Sequence, residues 1–272
     1  MLKKIITTVL VVSTVATSSL AMAEPWHDRD GDRHGYDHRG DYRDYRDGRG
    51  WEHRHGDWDD HRGHWARGAD KCANVYRHGS VVYWADEWKA KEDELLKSCQ
   101  RTYQAALERD ADIVYDSIGV GASAGAKFSE INEDRKRENM NASRINYQRF
   151  NAGAGVNEPD YEYIGIPNKD FFANLKAQAW WLVADRFRNT FNAVKNGEQY
   201  QVDELISIDS SCPLLEKLKL ELTTPHRDFD KNGRVMVESK KDLAKRDVPS
   251  PNVADAFIME FAPTDTAMEI VS

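Results

Sequence analysis

One segment near the start of the chain, residues 24–68, has very few of the aliphatic residues that build a protein core. Residues 24–68 contain no Val, Ile, Leu, Met or Lys, and consist mainly of repeated His, Asp, Arg, Gly, Tyr and Trp. Such a segment cannot bury enough apolar surface to offset the entropy lost on ordering. We therefore expect residues 24–69 to be disordered, and a folded domain to begin at about residue 70, where aliphatic residues and lysine reappear.

The sequence also has few cysteines and no excess of positive charge. The three cysteines, Cys72, Cys99 and Cys212, are odd in number and far apart, which excludes a disulfide framework and is typical of a cytosolic domain. The net charge of -8 lacks the basic excess that usually indicates a nucleic-acid partner.

Long apolar runs are missing as well. The stretch from Ile5 to Ala16 is short for a bilayer span and is interrupted by Thr and Ser. Lys3 and Lys4 precede this stretch, and Ala21-Met22-Ala23 follows it as a small-x-small cleavage site. This order predicts a signal peptide over residues 1–23, and hence a periplasmic or secreted chain, with a membrane anchor as the alternative.

Histidine is concentrated in the segment that lacks aliphatic residues. Imidazoles and carboxylates on a flexible chain can gather around Ni, Cu, Zn or Co, but no fixed ligand spacing defines a site. Transition-metal buffering and a solvated linker remain open alternatives. The predicted signal peptide and residues 24–68 together resemble the start of small periplasmic proteins of nickel and cobalt homeostasis. The compact module that follows in that family does not follow here. The histidines concerned are His27, His34, His38, His53, His55, His61 and His64.

The rest of the chain alternates strand and helix patterns, which favours a mixed α/β sheet. Ser250-Pro251 is a specific helix start, because Ser suits the N-cap and Pro the first helical position. We expect strands at 73–78, 80–84, 112–115 and 144–150, helices at 89–109, 123–140, 169–195 and 213–222, a hairpin turn at 230–233, and a last helix from 250.

Two carboxylates occupy positions suited to a site on such a sheet. Asp116 ends the apolar strand 112–115 and precedes a glycine-rich turn, which is where open α/β sheets bind ligands. Asp255 lies in the first turns of the last helix, among apolar neighbours.

The residues around these carboxylates resemble a known family. The strings Tyr115–Ala122 and Ser250–Ala256 look like the acidic signatures of the phage terminase large-subunit nuclease domain, and Asn168–Trp181 is similar to its long helix. The resemblance continues in order through Glu216–Leu218, Glu221-Leu222 and Gly233–Lys240, and covers residues 70–272. It implies an RNase H-like fold in which acidic residues hold two Mg²⁺ or Mn²⁺ ions and cut double-stranded DNA during genome packaging. Hard divalent ions do require several oxygen ligands, and two of them can drive in-line attack on phosphate.

The chain departs from that family at the first acidic position. Asp116 and Asp255 match the second and third metal ligands, but only Asp70-Lys71 remains of the string that follows the first, so Asp70 is the one candidate substitute. We therefore expect the first strand to be missing and the metal site to be incomplete. Active cleavage, loss of activity, a periplasmic metal-binding role for residues 24–68 and a non-functional prophage gene fusion all remain open.

Two further features bear on DNA. No Gly-x-x-x-x-Gly-Lys-Ser/Thr loop occurs, so an ATPase domain that would drive packaging is absent from this sequence. A basic run before Asp255 is a candidate contact for DNA phosphates, with a solvated hairpin edge as the alternative. Its residues are Lys240, Lys241, Lys245 and Arg246.

Overall fold

The computed structural model describes residues 6–12, 71–90 and 94–263. Its strands are β1 (Ile6–Val12), β2 (Lys71–His78), β3 (Val81–Lys89), β4 (Asp112–Asp116), β5 (Tyr147–Phe150), β6 (Glu162–Tyr163), β7 (Ile166–Pro167), β8 (Ser207–Ile208), β9 (Arg227–Phe229) and β10 (Val235–Val237). Its helices are α1 (Leu95–Arg109), α2 (Ala124–Glu138), α3 (Asn168–Phe171), α4 (Leu175–Asn196), α5 (Leu215–Thr223), α6 (Lys240–Lys245) and α7 (Asn252–Glu260). None of the described helices is long and apolar enough to span a membrane.

Six strands form one mixed sheet in the order β5-β4-β1-β2-β3-β8. β1 pairs antiparallel with β2, and β2 pairs antiparallel with β3. β4 runs parallel to β1, and β5 runs parallel to β4. At the other edge, β8 runs parallel to β3. The three antiparallel strands β1–β3, continued by the parallel strands β4 and β5, form the RNase H-like sheet expected from the sequence.

The sheet corrects the expectation that its first strand is missing. Ile6–Val12 occupies the central position, with Thr8 opposite Tyr76 of β2 and beside Ile113 of β4. The sequence assigned this segment to a signal peptide because a short run of apolar and β-branched residues fits both roles. Pairing with strands that begin at residues 71 and 112 is not visible in a local pattern.

Helices cover both faces of the sheet, because neighbouring residues in each strand point to opposite sides. On one face, Cys72 and Ile113 pack with Cys99 of α1 and Phe128 of α2. The opposite face packs against α4, α5 and α7, where Ala73, Val75 and Val114 meet residues such as Val183, Leu218 and Phe257. β4 therefore turns Ile113 and Tyr115 towards α1 and α2, and Val114 towards α7.

The long helix expected over 169–195 is interrupted. Phe172 is extended and bridges to Val235, and the side chain of Asn174 caps α4 by accepting the N–H of Ala177 at 2.9 Å. Gly197 ends α4 with φ of 73°, as its position after the periodic run predicts. The last turns of α4 are less buried than the apolar periodicity suggested, since Phe191 is 60% exposed.

Candidate functional site

Asp116 is held at the end of β4 by its own turn. Its carboxylate accepts the N–H of Ile118 at 3.0 Å, and the backbone and hydroxyl of Ser117 both donate to the carbonyl of Phe150, at 2.9 and 3.0 Å. The chain then returns so closely that a Cβ on Gly121 would lie 2.0 Å from the carbonyl oxygen of Asp116. The glycine of this turn is therefore a steric requirement for placing Asp116.

Asp255 projects from the first turn of α7 between two lysines. Lys176 of α4 donates to its Oδ1 at 2.8 Å, and the Lys240 Nζ lies 3.2 Å from its Oδ2. The Asp255 side chain is only 12% exposed. Both lysines come from other elements, so α4, α6 and α7 converge on this one carboxylate.

The pKa values of the two carboxylates shift in opposite directions. Burial raises the pKa of Asp116, the negative charge of Asp255 adds to this, and the Ile118 N–H with the charges of Lys240 and Lys176 oppose it. Burial also opposes ionisation of Asp255, but Lys176 and Lys240 outweigh it and hold the pKa of Asp255 below its usual value. Asp116 and Asp255 thus lie in one electrostatic cluster, shared with the two lysines.

The start of α7 is capped from α5 rather than by Ser250. α7 begins at Asn252 after Pro251, and the Ser250 hydroxyl donates to the Asn252 side chain at 2.9 Å, so the expected N-cap is wrong. Instead, Glu221 accepts the N–H groups of Val253 and Ala254, at 2.8 and 2.9 Å. A carboxylate at a helix N-terminus accepts hydrogen bonds from otherwise unpaired N–H groups, and its negative charge interacts favourably with the helix dipole. Glu221 thereby fixes the turn that carries Asp255.

A second ion-pair group supports Glu221. Lys217 lies 3.5 Å from Glu221 and 2.6 Å from Glu87 of β3, and Lys71 of β2 donates to the same Glu87 oxygen at 2.9 Å. Burial disfavours the charge on Glu87, but the two lysines outweigh it and lower the Glu87 pKa. These contacts tie α5 to the sheet, and so hold Glu221 in place under α7.

Comparisons with known proteins give structural neighbours. No family model and no curated protein matches the sequence. The nuclease domain of the large terminase subunit of bacterial virus Sf6, as a lysine-to-alanine mutant with manganese and beta-thujaplicinol, matches with a TM-score of 0.68 and 22% identity, over 97% of this chain and 90% of that one. Another structure of that domain gives 0.65 and 23%, over 97% and 90%. The mutant with calcium gives 0.61 and 28%, over 73% and 85%.

The chain has the fold of the terminase nuclease domain. Both carboxylates of the sequence-based site are placed together in that fold, Asp116 on the sheet and Asp255 on the packed helix. The sequence did not point to Lys176, which lies within an amphipathic helix and 79 positions from Asp255, or to Glu221 as a cap.

The other candidate residues divide into three groups. Lys240 joins the site through Asp255, whereas Lys245 pairs with Asp242 at 2.7 Å and Arg246 with Glu238 at 2.5 Å. Lys241 is exposed on the same helix. Asp70 and the seven histidines of residues 24–68 lie outside the described residues.

The two carboxylates, Asp116 and Asp255, supply enough oxygen ligands to hold one divalent ion better than two. Asp116 and Asp255 offer hard carboxylate oxygens, the ligands that Mg²⁺ and Mn²⁺ prefer. Among the described residues, however, no group of three or more His, Cys, Asp or Glu side chains is placed to hold a metal. The central strand of the terminase fold is Ile-Thr-Thr-Val-Leu-Val-Val here and contributes no carboxylate. A two-metal site would need more oxygen ligands than this pair supplies.

Proposed function

We propose that this chain is a phage DNA-packaging nuclease domain that binds a divalent metal ion through Asp116 and Asp255 and cuts double-stranded DNA slowly. The observation that carries the proposal is the convergence of these carboxylates in a fold whose solved neighbours were studied with manganese or calcium. A bound ion would polarise the phosphate and favour ionisation of an attacking water.

The two lysines have a role in the same proposal. In the structure described above, Lys176 and Lys240 neutralise Asp255. If Asp255 held a metal ion, the ammonium groups of Lys176 and Lys240 would be free to contact a DNA phosphate beside it. Lysine donates to phosphate as a point charge and is well suited to this use.

The test is nicking of supercoiled plasmid by the purified full chain in Mn²⁺. We expect slow nicking that is lost in Asp116→Asn and in Asp255→Asn. Asp112→Asn is the matched control, because Asp112 lies at the other end of β4 and pairs with Asn146 at 3.0 Å. Equal cutting by wild type and both site variants would refute the proposal.

A gain-of-function variant tests whether the missing carboxylate limits the rate. Leu10 pairs with Tyr115 in the parallel β1–β4 ladder, and continuing this register by one residue would set position 11 beside Asp116. Residues at equal register in adjacent strands lie on the same face of a sheet. Val11→Asp should therefore raise Mn²⁺-dependent nicking by at least about tenfold, equivalent to about 1.4 kcal/mol in the barrier. If a folded Val11→Asp chain nicks no faster than wild type, the absence of a third carboxylate does not limit the nicking rate.

A further inference from the structure

The apolar N-terminal segment holds the sheet together. β1 is hydrogen-bonded on both sides, with Val12 opposite Cys72 on one edge and Leu10 beside Tyr115 on the other. Among the strands that the structure describes, β1 lies between the β4–β5 pair and the β2–β3 pair and joins them into one sheet. Without β1, both neighbouring strands would present unpaired N–H and C=O groups inside the domain, which is costly.

The same residues form the apolar part of the predicted signal peptide. Cleavage after Ala23 would remove all of Ile6–Val12, and export would hold the segment away from the domain. One segment cannot be paired on both edges within a folded sheet and also be cleaved from the chain. The two fates therefore exclude each other.

We propose that residues 6–12 are retained as the central strand, that the nuclease domain folds only with them, and that folding therefore competes with export. The long connection over residues 13–70 does not oppose this pairing, because the entropy of closing a loop grows only slowly with its length. The antiparallel register further specifies one alignment out of many, with Ile6 opposite His78 and Val12 opposite Cys72.

A cysteine cross-link tests the register directly. Antiparallel partners have Cα atoms about 4.5–5.5 Å apart, within the range of about 4.4–6.8 Å that a disulfide spans. In a Cys99→Ala, Cys212→Ala background, Val12→Cys should join Cys72 under mild oxidation of the native full chain. Val11→Cys is the matched control, since its partner is Ala73 and alternate residues of a strand face opposite sides.

The yields of the two disulfides differ according to whether β1 pairs with β2. We expect at least a tenfold excess of the disulfide in Val12→Cys over Val11→Cys, measured by mass spectrometry of the linked peptides. A leader that does not pair with β2 would bring both thiols to Cys72 equally often, because they are adjacent in the chain. Equal yields, or no linkage in either variant, would overturn the proposal.

Truncation tests the dependence of folding on the segment. A chain that starts at Glu24 should lose the cooperative unfolding transition seen for the full chain in urea. A chain that lacks residues 24–68 but keeps the first 23 should retain it, although that deletion is larger. The proposal is overturned if the chain from Glu24 unfolds cooperatively at the same midpoint as the full chain.

Discussion

Removal of the Glu221 carboxylate should loosen the helix that carries Asp255. The carboxylate accepts two backbone N–H groups of α7, from Val253 and Ala254, and its side chain is 11% exposed. Loss of a helix cap costs about 1 kcal/mol, and a buried donor left unpaired costs about 1–3 kcal/mol. We expect Glu221→Ala to lower the free energy of unfolding by about 2–3 kcal/mol, and Glu221→Gln by about 1 kcal/mol, because an amide oxygen still accepts.

The assay is urea unfolding of the full chain at pH 7. With a slope of about 2–3 kcal/mol per M, the loss in Glu221→Ala corresponds to a midpoint lower by roughly 1 M. Glu216→Ala is the matched control on the same helix, since Glu216 is 83% exposed and its ion pair is with the exposed Lys219, at 2.6 Å. An exposed pair contributes about 0–1 kcal/mol. If Glu221→Ala unfolds at the same midpoint as Glu216→Ala, the cap does not stabilise α7.

Three further outcomes follow from named contacts. Gly121→Ala would bring a Cβ to 2.0 Å from the Asp116 carbonyl oxygen and should cost about 1–3 kcal/mol in urea unfolding, with an unchanged midpoint as the contradicting result. Burial raises the pKa of Glu260 well above its usual value despite a paired arginine, so wild type should lose stability as pH rises from the unfolded towards the folded pKa. Glu260→Gln should remove that loss of stability, measured by urea unfolding as the pH is raised above the unfolded pKa of glutamate, and an identical slope in wild type and variant would contradict the assignment. Lys240→Ala removes an ammonium 3.2 Å from Asp255 and should tighten Mn²⁺ binding in a titration; weaker binding would show that the lysine helps to form the site.

Local sequence patterns predicted the turn of the β2–β3 hairpin, β4 with its glycine turn, and the end of α4 at Gly197. They were wrong about the end of β3, which continues to Lys89 instead of stopping at 84, so that α1 begins at Leu95 and not at 89. Asp116 was found from a local pattern, because a carboxylate that ends a buried strand before a glycine turn is a local signal. Asp255 was a candidate only as a carboxylate among apolar neighbours in the first turns of a helix, and the family resemblance was needed to distinguish it from an ordinary helix carboxylate.

The remainder depends on contacts between distant segments. Nothing in the amphipathic pattern of α4 marks Lys176 as the partner of Asp255, and nothing in α5 marks Glu221 as the cap of α7. β1 is the extreme case, since its apolar run is typical of a leader and only the strands from residues 71 and 112 give it a place in the sheet. Sequence patterns identify such residues only when the partner is already known.

The affinity for Mn²⁺ is the most direct test of metal binding by Asp116 and Asp255. Mn²⁺ titration followed by electron paramagnetic resonance on the full chain at pH 7 reports the bound ion without requiring DNA cleavage. We expect one bound ion, with affinity at least tenfold weaker in Asp116→Asn and in Asp255→Asn and unchanged in Asp112→Asn. Affinity that is the same in wild type and in either site variant would contradict this expectation.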